Sequence, residues 1–425
     1  MKASELLQRI EAGALSAHYH LYGNVSEPTK RYAAAIRSFI ELYGDDREAY
    51  LFSVPGRTEV LGNHTDHQSG CVLAAAIDRD IIAVVSPSEN GVIRMKSEGY
   101  PEDTVRLADC GDPAAFSLFS SASLIAGTVK GFTERGYATG GFDAYTTSRV
   151  LKGSGLSSSA AFEVMIGNVL NHLYNGGAIQ NEEIAKIAQF AENSYFGKPC
   201  GLMDQMACAV GGFVFIDFCD GTNPDIEPIS FSLEEAGYVL CVLNTGGNHA
   251  DLNADYASVP AEMKQIASYF GKEVLRGVSE AQLVGNAPLL RAAAGDRAVL
   301  RALHFVRENE RVQRAAAKLK QGDVAGFLSH VLASGDSSFK YLQNVYTVQN
   351  VEEQGLSLAL CLSEGLLGDK GCAYRVQGGG FAGTILAFVK KEYAADYRMV
   401  MESVFGADSC MTLAVRPVGA TRIAL

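Results

Sequence analysis

The segment Gly153-Ser-Gly-Leu-Ser-Ser-Ser-Ala160 leads from a short apolar run into a long apolar-periodic stretch. Its glycines let a backbone come close to a ligand. A helix starting after the serines would present unpaired N–H groups and the positive end of its dipole, an arrangement that holds phosphate. It is not a Walker loop, which needs Lys after the second glycine, and it lacks the GxGxxG spacing of a dinucleotide fold. Read alone, a serine-capped loop between strand and helix explains it equally well.

Three further stretches carry reactive residue types. Val54-Pro-Gly-Arg-Thr-Glu-Val-Leu-Gly-Asn-His-Thr-Asp-His67 crowds polar and ionisable side chains around two glycines. Such a set could grip a polyhydroxylated ligand through bidentate and single hydrogen bonds. His64, Asp66 and His67 are also plausible metal ligands, and a solvated loop is the bland alternative. Cys200-Gly-Leu-Met-Asp-Gln205 sets Asp204 beside a glycine turn, with Glu192 on the preceding helix. Two such carboxylates suit a base and a magnesium ligand, although Asp204 alone reads as a helix cap. Gln377-Gly-Gly-Gly-Phe-Ala-Gly383 is a glycine-dense turn that a backbone or ligand must approach closely, or else a tight hairpin.

The elements that position these stretches follow from periodicity. A helix is expected over Pro28–Tyr43, with Pro28 in its first turn and Gly44 past its end. Tyr50–Val54 reads as a strand that stops at Pro55-Gly56. Ile77–Ser86 and Val92–Lys96 read as a hairpin around Ser88-Glu-Asn-Gly91. Phe116–Arg135, Ala160–Tyr174, Glu182–Tyr195 and Val299–Gln321 read as helices. Phe142–Val150, Tyr238–Leu243 and Cys372–Val376 read as strands. Helices and strands mix without strict βα alternation, so the class is α+β. The turn-rich stretch Cys219-Asp-Gly-Thr-Asn-Pro-Asp225 suggests two domains, 1–225 and 226–425.

Bulk properties narrow the field. The chain has 425 residues, 48% hydrophobic and 20% charged, the composition of a globular protein with a large core. A net charge of −12 argues against a general nucleic-acid binder. Nine cysteines, odd in number and without a CxxC pair, argue against a disulfide framework and a zinc site. The N-terminal MKASELLQRIEAG is an amphipathic helix rather than a signal peptide, and no apolar run approaches the ~20 residues of a membrane span. The expected setting is the cytoplasm.

In order and spacing, the four stretches resemble the motifs of the GHMP superfamily of small-molecule kinases, and its galactokinase branch in particular. The branch's first motif, roughly PGRxNLIGEHTDY, resembles Pro55–His67. Its second, PxGxGLSSSA, resembles Leu151–Ala160, and its third, GGGFGG, resembles Gly378–Gly383. Pro199–Gln205, Asn244-Thr245 with His249 and Tyr256, and the helix Arg301–Arg311 also match. The resemblance implies a two-domain kinase with its active site between the domains, using ATP and Mg²⁺ to phosphorylate the C1 hydroxyl of galactose or a close sugar.

It further implies roles. Asp204 would stand by the anomeric hydroxyl as base or charge partner, with Arg57 beside it. Asn63, His64, Asp66, Gly201 and Tyr256 would contact the sugar. Gly153, Ser154, Gly155, Leu156, Ser157, Ser158 and Ser159 would wrap the nucleotide phosphates, and Ser159 with Glu192 would hold the metal. The chain departs from the pattern at Glu59, where the family has Asn, and at Asn63, where it has Glu. His67, Leu151 and Ala382 replace Tyr, Pro and Gly. Asn63 opens two alternatives, a galacturonate or an N-acetylhexosamine 1-kinase. A catalytically silent ATP- and sugar-binding regulator, or a metal hydrolase built on His64, Asp66 and His67, are readings of other kinds. Retention of Arg57, Glu192 and Asp204 together speaks against the silent one.

Overall fold

The computed structural model describes residues 1–22, 26–150, 155–221, 223–247 and 252–425. Gly153, Ser154 and His249 therefore lie outside the described residues. Helices and strands mix as an α+β fold around two sheets.

The larger sheet begins with β1 (Tyr50–Leu61), β2 (Cys71–Ser88), β3 (Val92–Ser97), β4 (Glu102–Arg106) and β5 (Gly141–Ser148). It is completed by β6 (Phe213–Asp217), β7 (Asp225–Ile229) and, at the end of the chain, β12 (Thr421–Ile423). The smaller sheet holds β8 (Tyr238–Asn244), β9 (Ala373–Gln377), β10 (Thr384–Lys390) and β11 (Cys410–Leu413), in the order β11-β8-β10-β9. The long apolar run of β2 is buried almost throughout, as expected of a strand covered on both faces. Its first residues pair with β6 and its last with β5, so it joins two arms of the sheet.

Helices Ser158–Tyr174 and Met203–Val210 pack on β1 and β2, while Ser121–Glu134 packs on Asn181–Ala191. The helix Asp296–Lys320 packs on both β2 and the helix Val324–Ser337. One continuous core runs from Val54 and Val72 through Val164 and Phe327 to Leu240 and Phe388, so both sheets share it.

Several expected elements shift. β1 does not stop at Pro55-Gly56 but runs to Leu61, with a bulge between Pro55 and Arg57. Gly56 serves close packing rather than a turn, because a Cβ there would lie 2.7 Å from the Leu156 carbonyl oxygen. β2 and β3 form no hairpin. β5 lies between them, pairing antiparallel with β2 and parallel with β3. The helix expected from Phe116 starts only at Ser121, where the Ser120 hydroxyl accepts from the Ser123 amide as an N-cap. The helix expected to reach Tyr195 ends at Ala191 and passes into a wider π turn, Glu192–Phe196. The boundary expected near residue 225 meets the first residue of β7, which pairs with β6, and β12 returns to pair with β1. We propose a division that follows the sheets, with β8–β11 in the second unit.

Candidate active site

Arg57 and Glu59 stand two residues apart on β1, so both point to one face of the strand. The Arg57 guanidinium donates through Nε and Nη2 to the two oxygens of Asp204, at 2.6 and 2.7 Å, in a bidentate pair. Its Nη1 donates to the Gly155 carbonyl at 2.6 Å, which ties the glycine-serine loop to the same group. Asp204 sits in the first turn of the helix Met203–Val210. Burial pushes its carboxyl upward, but the Arg57 charge and hydrogen bonds, with Ser157 and Lys198, outweigh burial and hold it below the usual carboxylate range.

The loop enters the helix Ser158–Tyr174 through Ser157, a non-glycine residue held at φ 61°. Its hydroxyl donates to Asp204 and caps none of the helix amides. Among the described residues no N-cap side chain takes up the first-turn N–H groups of that helix, which suits an anion site. Leu156 is fully buried and anchors the loop, and its carbonyl accepts from the Arg57 amide at 3.1 Å.

The Ser159 hydroxyl donates to Glu192 Oε1 at 3.0 Å, and Lys198 Nζ donates to the same oxygen at 3.0 Å. Gln205 Nε2 bridges Glu192 Oε2 at 2.7 Å and Glu163 Oε2 at 3.2 Å. Glu163 is fully buried. Burial, reinforced by the neighbouring Glu192 charge, raises its carboxyl well above the ordinary value. Lys198, Gln205 and Glu163 were not singled out from the sequence. Glu163 left a signal there, as the lone acidic residue in the apolar stretch Ala160–Tyr174.

A cavity of about 280 Å³ opens beside the Arg57–Asp204 pair, lined also by Glu59, Asn63, His64, Asp66, His67, Cys200, Gly201 and Gly379. A Cβ at Gly201 would lie 2.5 Å from Asp66 Oδ2, so a side chain there would displace that carboxylate. His64 is held at φ 58°, with Nε2 3.0 Å from the Gly379 carbonyl oxygen. Burial lowers His67 to about 4, so the ring is neutral at pH 7. Among the described residues no group of three or more His, Cys, Asp or Glu could hold a metal ion, which corrects the idea of a site at His64, Asp66 and His67. A larger hollow of about 1000 Å³ beside Thr245 and Gly355 is lined, among the described residues, by no arginine or aspartate.

Two expected sugar contacts are engaged by the protein itself. The Asn63 amide is fully buried and donates to Glu59 Oε1 at 3.0 Å and to the Gly378 carbonyl at 2.6 Å. Its Oδ1 accepts from Asn344 Nδ2 at 2.7 Å and from the Ser338 hydroxyl at 3.3 Å. Both donors and the acceptor are thus taken by the protein, although Asn63 borders the cavity. Tyr256 donates to the Gly380 carbonyl at 3.0 Å and stands edge-on to Phe381 at 5.5 Å. It braces the third glycine loop and is not among the cavity's lining residues.

The chain is similar to known proteins over most of its length. Residues 37–87 match a galactokinase galactose-binding signature, and residues 123–212 match the GHMP kinases N terminal domain. A galactokinase of Streptomyces coelicolor is 33% identical over 374 residues, covering 87% of this chain and 92% of that protein. A galactokinase of Actinobacillus pleuropneumoniae is 30% identical, covering 86% of this chain and 92% of that one. Among solved structures, Lactococcus lactis galactokinase complexed with galactose superposes with a TM-score of 0.76 at 23% identity, covering 91% of this chain and 98% of its own. The mevalonate kinase of L. major has a TM-score of 0.56 at 18% identity, covering 86% of this chain and 96% of its own.

Proposed function

Because the chain belongs to the GHMP kinase family, and within it to the galactokinases, we infer that it transfers the γ-phosphoryl group of ATP to the C1 hydroxyl of galactose. It is an ATP-dependent sugar kinase. The observation that carries the residue assignment is the bidentate Arg57–Asp204 pair at the cavity wall, beside a helix whose first turn is left uncapped.

In this reading the sugar lies in the cavity with its C1 hydroxyl at Asp204. The carboxylate takes the hydroxyl proton, or balances its charge, as the C1 oxygen bonds to the γ-phosphorus and ADP leaves. Arg57 keeps the carboxylate ionised and adds positive charge where the transferring group becomes more anionic. The loop ending in Ser157, Ser158 and Ser159 holds the phosphates through backbone amides. Asp66, His64 and the open backbone at Gly201 bind the sugar.

The donor set at Ser159 and Glu192 fits magnesium. A hydroxyl and a carboxylate oxygen 3.0 Å apart are hard ligands, and Mg²⁺ takes one or two such groups while phosphate oxygens and water complete its shell. When bound, it would neutralise phosphate charge. Lys198 shares the same Glu192 oxygen and would yield part of that position to the ion.

The saturated Asn63 amide and the neutral His67 ring remove the support for an acid sugar. The same reading puts the enzyme in the cytoplasm, and among the described residues no helix is long and apolar enough to cross a membrane. The test is ADP release across a panel of galactose, galacturonate and N-acetylgalactosamine, with ³¹P NMR locating the phosphate. Galactose should give a C1 phosphate, lost in EDTA and restored by Mg²⁺ or Mn²⁺. Transfer to C6, a galacturonate rate above that of galactose, or full activity after chelation would overturn the assignment.

A further inference from the structure

Glu59 is a charged residue of the cavity wall that the mechanism above leaves without a task. It is 5% exposed, lines the cavity, and shares a face of β1 with Arg57. One of its oxygens is fully engaged: Oε1 accepts from Asn63 Nδ2 at 3.0 Å and from Arg375 Nη2 at 2.9 Å. Arg375 is itself buried and fixed by donating Nη1 to the Val60 carbonyl at 2.8 Å. The other oxygen, Oε2, accepts from none of the described residues. The carboxylate is thus pinned through one oxygen while the second is left for something else.

A carboxylate offers only acceptors, and Oε2 opens on the cavity, where a ligand hydroxyl can take the place of water as its donor. The neighbouring residues cannot do so. Asn63 spends both amide hydrogens elsewhere, and Arg57 is turned to Asp204 and Gly155. The exchange of residue types adds a second line. The motif this chain resembles has Asn at position 59 and Glu at position 63, whereas here Glu59 and Asn63 stand in reverse and hydrogen-bond to each other. The carboxylate has in effect been handed across one hydrogen bond, from a site now saturated to one that is open.

We propose that Glu59 Oε2 accepts a hydrogen bond from a hydroxyl of the bound sugar and is a specificity-determining residue of this enzyme. It selects a neutral hydroxyl at that position and disfavours a sugar carrying a carboxylate there, because two like charges within hydrogen-bond distance repel. The proposal rests on the sugar-kinase reading of the same cavity.

The experiment measures binding and turnover separately. Galactose and its 2-, 3-, 4- and 6-deoxy forms are titrated calorimetrically into the wild type and Glu59→Gln, and kcat and KM are measured for each sugar that reacts. Galactose should bind about 10- to 100-fold more weakly to the variant, the usual weight of a hydrogen bond to a charged group. One deoxy sugar, lacking the hydroxyl that Glu59 reads, should bind both proteins alike. KM should carry the change, with kcat and the KM for ATP held.

An equal loss for galactose and all four deoxy sugars would make Glu59 a structural residue and overturn the proposal. Should Glu59→Gln fail to fold because Arg375 loses its counter-charge, the pair Glu59→Gln with Arg375→Met removes both charges and is titrated in its place. If galactose binds with the expected pattern but receives no phosphate, the kinase reading fails and the role of Glu59 stands. Absence of binding by every sugar in the series to the wild type would overturn both.

Discussion

Asp80, on β2, is 1% exposed and receives donors from four side chains, Arg31, Arg416, Tyr22 and Ser53. Asp204, in the first turn of its helix, has a side chain 27% exposed and receives donors from two, Arg57 and Ser157. For each, burial pushes the carboxyl up and arginine more than offsets it, so both lie below the usual range. Electrostatics alone therefore does not separate them. What separates them is access. The Asp80 side chain is 1% exposed, whereas the Asp204 carboxylate lines the cavity and can meet a ligand there. Asp80 fastens Arg31 of the helix Ser26–Tyr43 and Arg416 near the chain's end to β2, a task complete in the folded protein. Asp204 is held in place but open to the cavity.

The largest effect should come from removing the charge at Asp204. Asp204→Asn is expected to lower kcat by about 10²–10⁴-fold, the usual weight of a positioned acid or base. The cost to stability should stay within about 1–2 kcal/mol, since water reaches the pair from the cavity. Steady-state kinetics beside thermal melts would show it, and near wild-type turnover would remove Asp204 from the chemistry. Asp80→Asn should show the reverse. Two arginines would be left in a buried site without their counter-charge, a loss of about 3–5 kcal/mol in unfolding free energy. The turnover of the molecules that remain folded should be unchanged. A fall in kcat comparable with that of Asp204→Asn would end the contrast.

The contrast also explains what the sequence could reveal. Arg57, Asp204, Ser159 and Glu192 were singled out through the motifs the chain resembles, and the structure brings each expected pair into hydrogen-bond contact. Asp80 was not legible, because its partners lie at positions 22, 31, 53 and 416 and only the fold collects them. Asn63 misled for the same reason. Its sequence neighbours belong to the sugar motif, yet apart from Glu59 the groups that engage its amide, Asn344, Ser338 and Gly378, lie far away in sequence. The hairpin at Ser88–Gly91 failed because local turn chemistry does not register that β5 inserts between β2 and β3. Periodicity placed the helix ending at Tyr43 and the long helix ending near Lys320 within a few residues, since each has one face against the core.

The smallest effect sharpens the comparison by asking which buried groups respond to pH before the two aspartates do. His304 is wholly buried, with its ring nitrogens 2.9 Å from the Ser337 hydroxyl and 2.9 Å from the Asn63 carbonyl oxygen. Burial lowers it to about 4, as it does His67. An unfolded chain protonates these rings near pH 6.5, so between pH 6.5 and 4 the unfolded state binds more protons than the folded one. The stability they contribute is complete above pH 6.5 and is lost as pH falls towards 4. Asp80 and Asp204, whose folded values are depressed, give up their contribution only below about pH 4, where the unfolded carboxylates also take protons. In chemical unfolding from pH 7.5 to 4.5 each histidine should contribute a decline of at most about 1.4 kcal/mol per pH unit, opposed by Glu163, whose raised carboxyl takes up its proton in the folded state first. His304→Gln keeps a donor and an acceptor but does not titrate, so it should flatten that decline by one group's share. In the same variant the steeper fall below pH 4 should persist, since both aspartates remain. An unchanged slope in His304→Gln would mean that this buried ring has no share in that window.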